Sequence, residues 1–346
     1  MSLPEFFGLD IGYSSAKIVQ LSGVSKNEPQ LVACAQTDIS KPLISLKDDT
    51  EKKAFAEKLK LLREVAGIKT NKCVLSLPEA TLFSKIITVP DLPEEQMEKV
   101  IFFEARNHLP ISPEEVQMDH IPITTKIIDN RKVQQILLIA APKTMINAYL
   151  DIMSMCDFEV LALETESLAS TRAISRISDL VKGTLVVDFG SQGLAVSIVR
   201  GQDMVFSQSI GTGSDALTMA IARDFNLDVR QAEQYKRTYG LLSNQLEGRI
   251  ARSLNPVISI IDNELNKVVN FMRINLPDFA PVQVFLTGDG ALLPGLIENI
   301  NQNVGLPTIV ADPLTNIAIS SKAKDQLQTI SAPGLTVAVG LSLKTE

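Results

Sequence analysis

The sequence predicts an α/β protein made of two similar domains around a cleft, with a small α+β subdomain inserted in the first domain. One observation is a pattern that occurs twice, GLDIGYSSAKIVQL at residues 8–21 and LVVDFGSQGLAVSIV at residues 185–199. Another is the alternation of strand-like apolar runs with amphipathic helical stretches. The third is a strand, helix and two-strand packet at residues 86–141, and the chain length of 346 residues agrees with two domains or three.

Each copy of the repeated pattern predicts a β-hairpin whose turn carries a carboxylate. Gly12 and Gly190 let the backbone bend tightly and leave N–H groups free to approach an anion. Asp10 and Asp188 can hold a hydrated divalent cation opposite the same anion. Two such hairpins suggest that both halves grip a phosphate chain. The alternative is that the two aspartates only cap tight turns.

Composition limits the classes of partner. The formal net charge is −7 and Lys and Arg form no long run, which argues against nucleic acid or an anionic membrane as the main partner. No apolar stretch approaches the roughly 18 residues of a membrane span. Cys34, Cys73 and Cys156 lie in apolar contexts, and with a strand starting at Phe6 and no leader we expect a cytoplasmic protein without direct membrane insertion.

Helical spacing predicts several elements along the chain. Residues 51–66 form a helix that ends at Gly67, and Glu166 opens a helix that continues through Ile177 to Leu180. A long helix is expected over 257–274 and a closing helix near 332–343. In the inserted packet, a helix has Pro93 at its first position and stops at Pro110.

Within that inserted helix, Phe102 and Phe103 are assigned to the subdomain core rather than to binding. His108 and His120 have no metal-ligand spacing and are interpreted as structural.

Two further motifs carry chemistry. In the turn TGDGALLPGL, residues 287–296, Gly288 and Gly290 remove side chains so that a flat ring can lie against the backbone, as a nucleobase would. In the helix RQAEQYKRTYG, Glu233 and Lys236 share one face and can reach ribose hydroxyls and a base edge. The alternative for this pair is an exposed ion pair worth only about 0.2 to 0.5 kcal/mol.

These elements, in this order, resemble the actin-like ATPase superfamily, a duplicated ribonuclease H-like fold. Residues 74–116, VLSLPEATLFSKIITVPDLPEEQMEKVIFFEARNHLPISPEEV, and the segment LETESLASTRA resemble the PilM family of type IV pilus assembly proteins, which is related to the division protein FtsA. The resemblance covers essentially the whole chain. It implies domain I at 1–85 and 142–183, the inserted subdomain at 86–141, domain II at 184–331 and a C-terminal helix at 332–346 that returns to domain I.

The resemblance also implies the site and its cofactors, ATP or ADP with Mg²⁺. The implied residues are Gly12, Tyr13, Ser14, Ser15 and Lys17 for the first phosphate motif; Gly190, Ser191 and Gln192 for the second; Gly211 and Gly213 for a turn beside the nucleotide; Gly288, Asp289 and Gly290 for adenosine; and Asp10 and Asp188 for the waters around Mg²⁺. Ser214 or Asp215 is expected to cap the helix after Gly213.

Glu166 matches the residue that orients an attacking water, although an acid at a helix start is also favoured by the helix dipole alone. The chain departs from the family at Tyr13, where a small residue is usual, and at Asp289, where glycine is usual. Both departures favour slow hydrolysis of ATP or none.

Three functions agree with these features. The first is a scaffold of pilus assembly whose nucleotide state tunes domain closure. Its implied partners are the cytoplasmic N-terminal peptide of a PilN-type inner-membrane protein, in a groove beside the inserted subdomain, and other inner-membrane platform components. This partner would recruit the protein to the inner membrane. The second is a kinase of the superfamily, for which no acceptor domain is evident. The third is an FtsA-like membrane-associated filament former, which would be expected to carry an amphipathic tail after the closing helix.

Overall fold

A computed structural model describes residues 3–177, 180 and 182–345. The strands in these ranges, numbered in chain order, are β1 Phe7–Ile11, β2 Ser15–Ser22, β3 Gln30–Asp38, β4 Lys72–Leu77, β5 Phe83–Pro90, β6 Val116–Ile128, β7 Arg131–Pro142, β8 Glu159–Thr165, β9 Gly183–Phe189, β10 Leu194–Arg200, β11 Asp203–Ile210, β12 Pro281–Thr287, β13 Thr308–Val310 and β14 Ala318–Ile319. The helices are α1 Asp49–Ala66, α2 Glu94–Ala105, α3 Lys143–Met155, α4 Glu166–Ile174, α5 Ser214–Phe225, α6 Val229–Tyr239, α7 Arg249–Asn275, α8 Leu296–Asn303, α9 Ser321–Gln326 and α10 Thr336–Ser342.

Two sheets that share one order of five strands form the two halves, and β14 is an additional edge strand of the first. The first sheet runs β14-β3-β2-β1-β4-β8, and the second runs β11-β10-β9-β12-β13. In each sheet three consecutive strands form an antiparallel meander, and the first of these pairs in parallel with the next strand of its half, β4 or β12. The repeated topology confirms the predicted duplicated α/β fold.

Amphipathic helices bury their apolar faces against these sheets. Helix α1 begins where Asp48 accepts a hydrogen bond from the backbone N–H of Glu51, and it ends at Gly67 as predicted. Helix α4 stops at Ile174, so the expected extension to Leu180 is wrong.

Helix α7 begins at Arg249, eight residues earlier than predicted, and Pro256 lies inside it. Proline costs the helix one backbone hydrogen bond. Ile250 and Leu254 are buried on the same face as the later apolar residues. Their burial therefore extends the helix past the proline.

The inserted subdomain is a three-stranded sheet, β5-β7-β6, with α2 on one face. That face buries Ile87 and Leu138 against Met97 and Ile101 of the helix. The opposite face packs on Met204 of β11, in the second half of the chain. The subdomain is therefore inserted in the first half but contacts the second.

Helix α2 differs from its prediction at both ends and on its aromatic face. Pro93 is the residue before the helix, and the helix ends at Ala105. Phe103 is 62% exposed, and Phe102 is half-buried outside the apolar cluster, so the assignment of this pair to the core is wrong. The buried residues of α2 recur every four positions, which turns these rings away, and the Arg106 guanidinium lies over both.

The C-terminal segment closes the first half. Helix α10 packs on α4 and β1, and the Ser342 hydroxyl accepts a hydrogen bond from the backbone N–H of Gly8 at 3.0 Å. The chain reaches this sheet before residue 332, since β14 pairs in parallel with β3. The three cysteines are buried and unpaired. In the described ranges no helix combines the length and the apolar character of a membrane span.

We expect Gly340→Ala to destabilise the protein, because the added Cβ would lie 1.8 Å from the Ala169 carbonyl oxygen where α10 crosses α4. Overpacking of this kind costs about 1 to 3 kcal/mol or more. Gly211→Ala is the control, since a Cβ there meets open space and its backbone is not left-handed. Thermal unfolding followed by circular dichroism should give a lower Tm for the first variant only, and equal Tm values would contradict this packing.

Candidate functional site

A cavity of about 820 Å³ lies between the two halves, where the first and ninth strands end. All of the predicted site residues line it except Gln192, Gly211 and Gly213. Those that do are Asp10, Gly12, Tyr13, Ser14, Ser15, Lys17, Glu166, Asp188, Gly190, Ser191, Glu233, Lys236, Gly288, Asp289 and Gly290. The fold therefore brings together motifs that are separated by most of the chain.

The two repeated hairpins have the same turn. The backbone N–H of Gly12 donates to the Ser15 carbonyl at 3.0 Å, and that of Gly190 donates to the Gly193 carbonyl at 3.0 Å. The expectation that each turn carries the carboxylate is wrong, because Asp10 and Asp188 are the next-to-last residues of their strands. Each strand continues for one more residue with a buried apolar side chain. The aspartates therefore do not cap the turns.

Three carboxyl groups are crowded at the base of the cavity. Burial, together with the neighbouring Asp10, raises the pKa of Asp188 to about 7. Burial also raises the pKa of Asp10, against the opposing effects of Lys17 and a hydrogen bond from Ser76. The pKa of Glu166 lies well above its usual value because of burial and then of Asp10. Added positive charge would stabilise this group of acids.

Asp10 and Asp188 offer the kind of oxygen ligand that a hydrated Mg²⁺ would need. In the part of the chain that the structure describes, no group of three or more His, Cys, Asp or Glu side chains is arranged to hold a metal ion. Asp10 and Asp188 face the cavity with oxygen donors, which Mg²⁺ prefers, and Mg²⁺ usually keeps several of its own waters. Both aspartates would therefore act through those waters.

Lys17 is bound across the cleft. It lies opposite Asp10 in the β1–β2 register, and its Nζ donates to Asp289 Oδ2 at 2.7 Å. The corresponding register position in the second hairpin, opposite Asp188, is Ala195. Only the first hairpin therefore has a lysine at this position.

The glycines after β12 serve close packing as well as the cavity. Gly288 has a φ of +79°, which favours glycine. A Cβ on Gly290 would lie 2.7 Å from the Phe189 ring. The absence of a side chain, which was predicted to make room for a nucleobase, is thus also required for packing against the end of β9.

Glu233 and Lys236 form a half-buried pair rather than the exposed surface pair of the alternative interpretation. Lys236 Nζ lies 2.6 Å from Glu233 Oε2 and also donates to Ser214 and to Thr218 Oγ1. Burial acts to raise the pKa of Glu233, but hydrogen bonds from Lys236, Thr218 and Arg237 outweigh it and lower the pKa to about 2. The pair ties α5 to α6 beside the cavity.

The start of α5 supports the second hairpin through its backbone. Gly213 precedes the helix without a side-chain cap, so the predicted capping by Ser214 or Asp215 is wrong. The N–H groups of these two residues instead donate to the carbonyls of Gly190 and Ser191 at 3.0 and 2.8 Å. A Cβ on Gly213 would lie 2.4 Å from the Ser191 carbonyl oxygen, which explains the glycine although it does not line the cavity.

Glu79 is a site residue that the sequence did not reveal. It lies in the turn between β4 and β5 and lines the cavity. Its backbone N–H donates to Glu166 Oε2 at 2.9 Å, and its buried carboxyl group accepts a hydrogen bond from the Ser207 hydroxyl. The motif VLSLPEATLF contains Glu79, but no periodicity there distinguishes a buried glutamate from a surface one.

We expect the free energy of unfolding of the metal-free protein to fall as the pH rises from about 4 to about 7. A carboxyl group whose pKa is raised by folding stabilises the folded state below its unfolded pKa, and this contribution is lost as the pH passes its folded pKa. Asp188→Asn should flatten this dependence. Calorimetry with EDTA at several pH values tests it, with the exposed Asp203→Asn as control; the same slope in both variants would contradict the buried acid.

Comparisons with known proteins agree with this architecture. Residues of the chain are 25% identical over 191 positions to the cell shape-determining protein MreB of Escherichia coli K12, and 27% identical over 193 positions to that of Haemophilus influenzae. Each match covers 46% of this chain and 55% of the relative, so it spans about half the length of those proteins.

Solved structures match over nearly the whole chain. The structure of a PilM–PilN type IV pilus biogenesis complex has a TM-score of 0.84 and 28% identity, with 98% of both chains covered. MreB5 of Spiroplasma citri bound to AMPPNP has a TM-score of 0.55 and 14% identity, with 98% and 95% covered, and shares the fold. The family described as type IV pilus assembly protein PilM matches residues 8–346, and the chain therefore belongs to this family.

Proposed function

We propose that this protein is an ATP-binding scaffold of type IV pilus assembly. The observation that carries the proposal is the pair of equivalent hairpins that face one cavity from two halves of the chain. Proteins with the same fold have been solved with AMPPNP and with ADP, which supports a nucleotide in this cavity. We therefore infer ATP or ADP with Mg²⁺ as the ligand.

Different residues have different roles in the proposed site. The turns after Gly12 and Gly190 offer backbone N–H groups to the phosphates, and Lys17 offers charge. Asp10 and Asp188 hold the waters of Mg²⁺, which neutralises phosphate charge. Glu233 and Lys236 border the space for the ribose and base, together with the backbone of residues 288–290.

We infer that ATP hydrolysis is slow or absent. Glu166 is the residue to which the resemblance assigns the orienting of a water, and its carboxyl group accepts a hydrogen bond from the Glu79 N–H. The Tyr13 ring lines the cavity next to the first phosphate turn, where the family usually has a smaller residue. A bulky group there restricts the space for an attacking water.

The proposed partner is the cytoplasmic N-terminal peptide of a PilN-type inner-membrane protein, with other pilus platform components as further partners. The PilM–PilN structure, whose fold this chain shares over 98% of its length, supports this assignment. Such a partner would place the protein in the cytoplasm at the inner membrane. The net charge of −7 argues against nucleic acid and the bilayer itself as partners.

The inserted subdomain has a route to the cavity, which supports tuning of the partner surface by the nucleotide. The Ser207 hydroxyl of β11 donates to Glu79, and the Ser84 hydroxyl of β5 donates to the Ser207 carbonyl at 2.7 Å. Glu79 in turn holds Glu166. A change at Glu166 can therefore reach the first strand of the subdomain through hydrogen bonds.

We expect Asp10→Asn and Asp188→Asn to weaken Mg²⁺-dependent ATP binding by about 10- to 100-fold, the usual cost of a lost outer contact to a metal. Asparagine keeps the shape, so both variants should stay folded. Titration calorimetry with and without Mg²⁺ measures the effect, with Asp203→Asn as control. Unchanged affinity in both variants would remove the cation assignment.

We expect a labelled PilN-type N-terminal peptide to bind with an affinity that differs between ATP-loaded and ligand-free protein. Ser207→Ala should reduce that difference because it cuts the route through Glu79, while ATP affinity stays the same. Fluorescence anisotropy measures both states. Absence of peptide binding, with ATP-dependent sedimentation of polymers instead, would favour the filament former, and phosphorylation of a small acceptor would favour the kinase.

A further inference from the structure

The ion pair between Lys17 and Asp289 joins the two halves of the protein across the cavity. Lys17 lies on β2 of the first sheet, and Asp289 lies in the turn that follows β12 of the second sheet. Their Nζ and Oδ2 atoms are 2.7 Å apart. The pair therefore occupies the place where the phosphate motif of one half meets the adenosine motif of the other.

Lys17 is the lysine on which the first phosphate motif depends. Its side chain is 8% exposed and lies beside Asp10 in the hairpin. The other lysine among the described residues that line the cavity is Lys236, which is already bound to Glu233 and Thr218. A phosphate chain at the first hairpin therefore competes with Asp289 for one ammonium group.

The two partners differ in how easily they can separate. The Asp289 side chain is 44% exposed, whereas that of Lys17 is buried. Moving the carboxylate outward costs little desolvation because water already reaches it, while a displaced lysine would leave a buried charge without a partner. Asp289 is therefore the member of the pair that leaves.

The C-terminal segment shapes the space around this pair. A Cβ on Gly334 would lie 2.2 Å from Asp289 Oδ1 and 3.0 Å from Lys17 Nζ. The backbone N–H of Gly288 donates to the Pro333 carbonyl at 2.9 Å. The ion pair is thus packed against the C-terminal segment that closes the first half. Together with the hydrogen bond to Pro333, it fixes the turn after β12 to that segment.

We propose that Asp289 is an internal competitor for phosphate, which holds Lys17 and ties the two halves together until the phosphates of a nucleotide displace it. The inference rests on the proposed function, since it assigns the nucleotide to this cavity. A nucleoside triphosphate exchanges one ion pair for another, so part of its binding energy is used to break the tie. By linkage, nucleotide binding and the contact between the halves oppose one another.

Asp289→Asn tests the proposal because it removes the charge and keeps the shape beside Gly334. Calorimetric titration with ATP and ADP at constant Mg²⁺ should show about tenfold tighter binding of both nucleotides, equivalent to about 1.4 kcal/mol. The exposed Asp278→Asn, with the same change in net charge, should bind both like the unmodified protein. Equal or weaker ATP binding by Asp289→Asn would overturn the proposal.

Hydrogen exchange of the nucleotide-free protein separates this inference from the proposed function. Loss of the tie should speed amide exchange in residues 288–292 of Asp289→Asn relative to Asp278→Asn. If no variant binds ATP, the proposed function fails, and the competition for phosphate fails with it. Unchanged exchange in this turn would overturn the contact between the halves, whether or not ATP binds.

Discussion

The arrangement of the site depends on the balance of charge among the acids at the base of the cavity. Asp10, Asp188 and Glu166 meet there with raised pKa values, and burial is the largest cause in each case. The three acids come together on folding because each lies near the end of a strand or at the start of a helix. The hydrophobic core fixes the positions of these elements. A hydrated cation bound beside the acids, as proposed, would reduce their mutual repulsion.

The two halves share the geometry of their hairpins but differ in the charge of the residue opposite the aspartate. Both hairpins use the same glycine hydrogen bond, and both sheets share one order of five strands. The register positions opposite the two aspartates differ, with Lys17 in the first half and Ala195 in the second. A symmetric pair of lysines would neutralise the acids without a cation. The asymmetry instead leaves one ammonium group at the two hairpins, for which the proposed nucleotide and Asp289 would compete.

Most of the residues predicted for the site line the cavity, because hairpins and glycine turns are local patterns. What the sequence misses depends on contacts between distant segments. Lys17 and Asp289 are 272 positions apart, and only the packing of the halves pairs them. The same holds for Glu79, whose partner Ser207 lies in the other half. The prediction for Phe103 is wrong because the sheet under α2 decides which face of the helix is buried. The predicted start of α7 is wrong because the burial of Ile250 and Leu254 outweighs the cost of a proline inside the helix.

Among the described residues, two of the polar connections between the halves differ in how a bound nucleotide would act on them. The Lys17–Asp289 pair lies within the cavity, where the proposed nucleotide would replace it directly. The chain from Glu166 through Glu79 to Ser207 and Ser84 lies behind the cavity and ends on the inserted subdomain. A ligand that broke the ion pair would leave this chain and the Gly288–Pro333 hydrogen bond as polar contacts between the halves. Because the inserted sheet packs on β11, which carries Ser207, the proposed nucleotide would act on the subdomain through this strand.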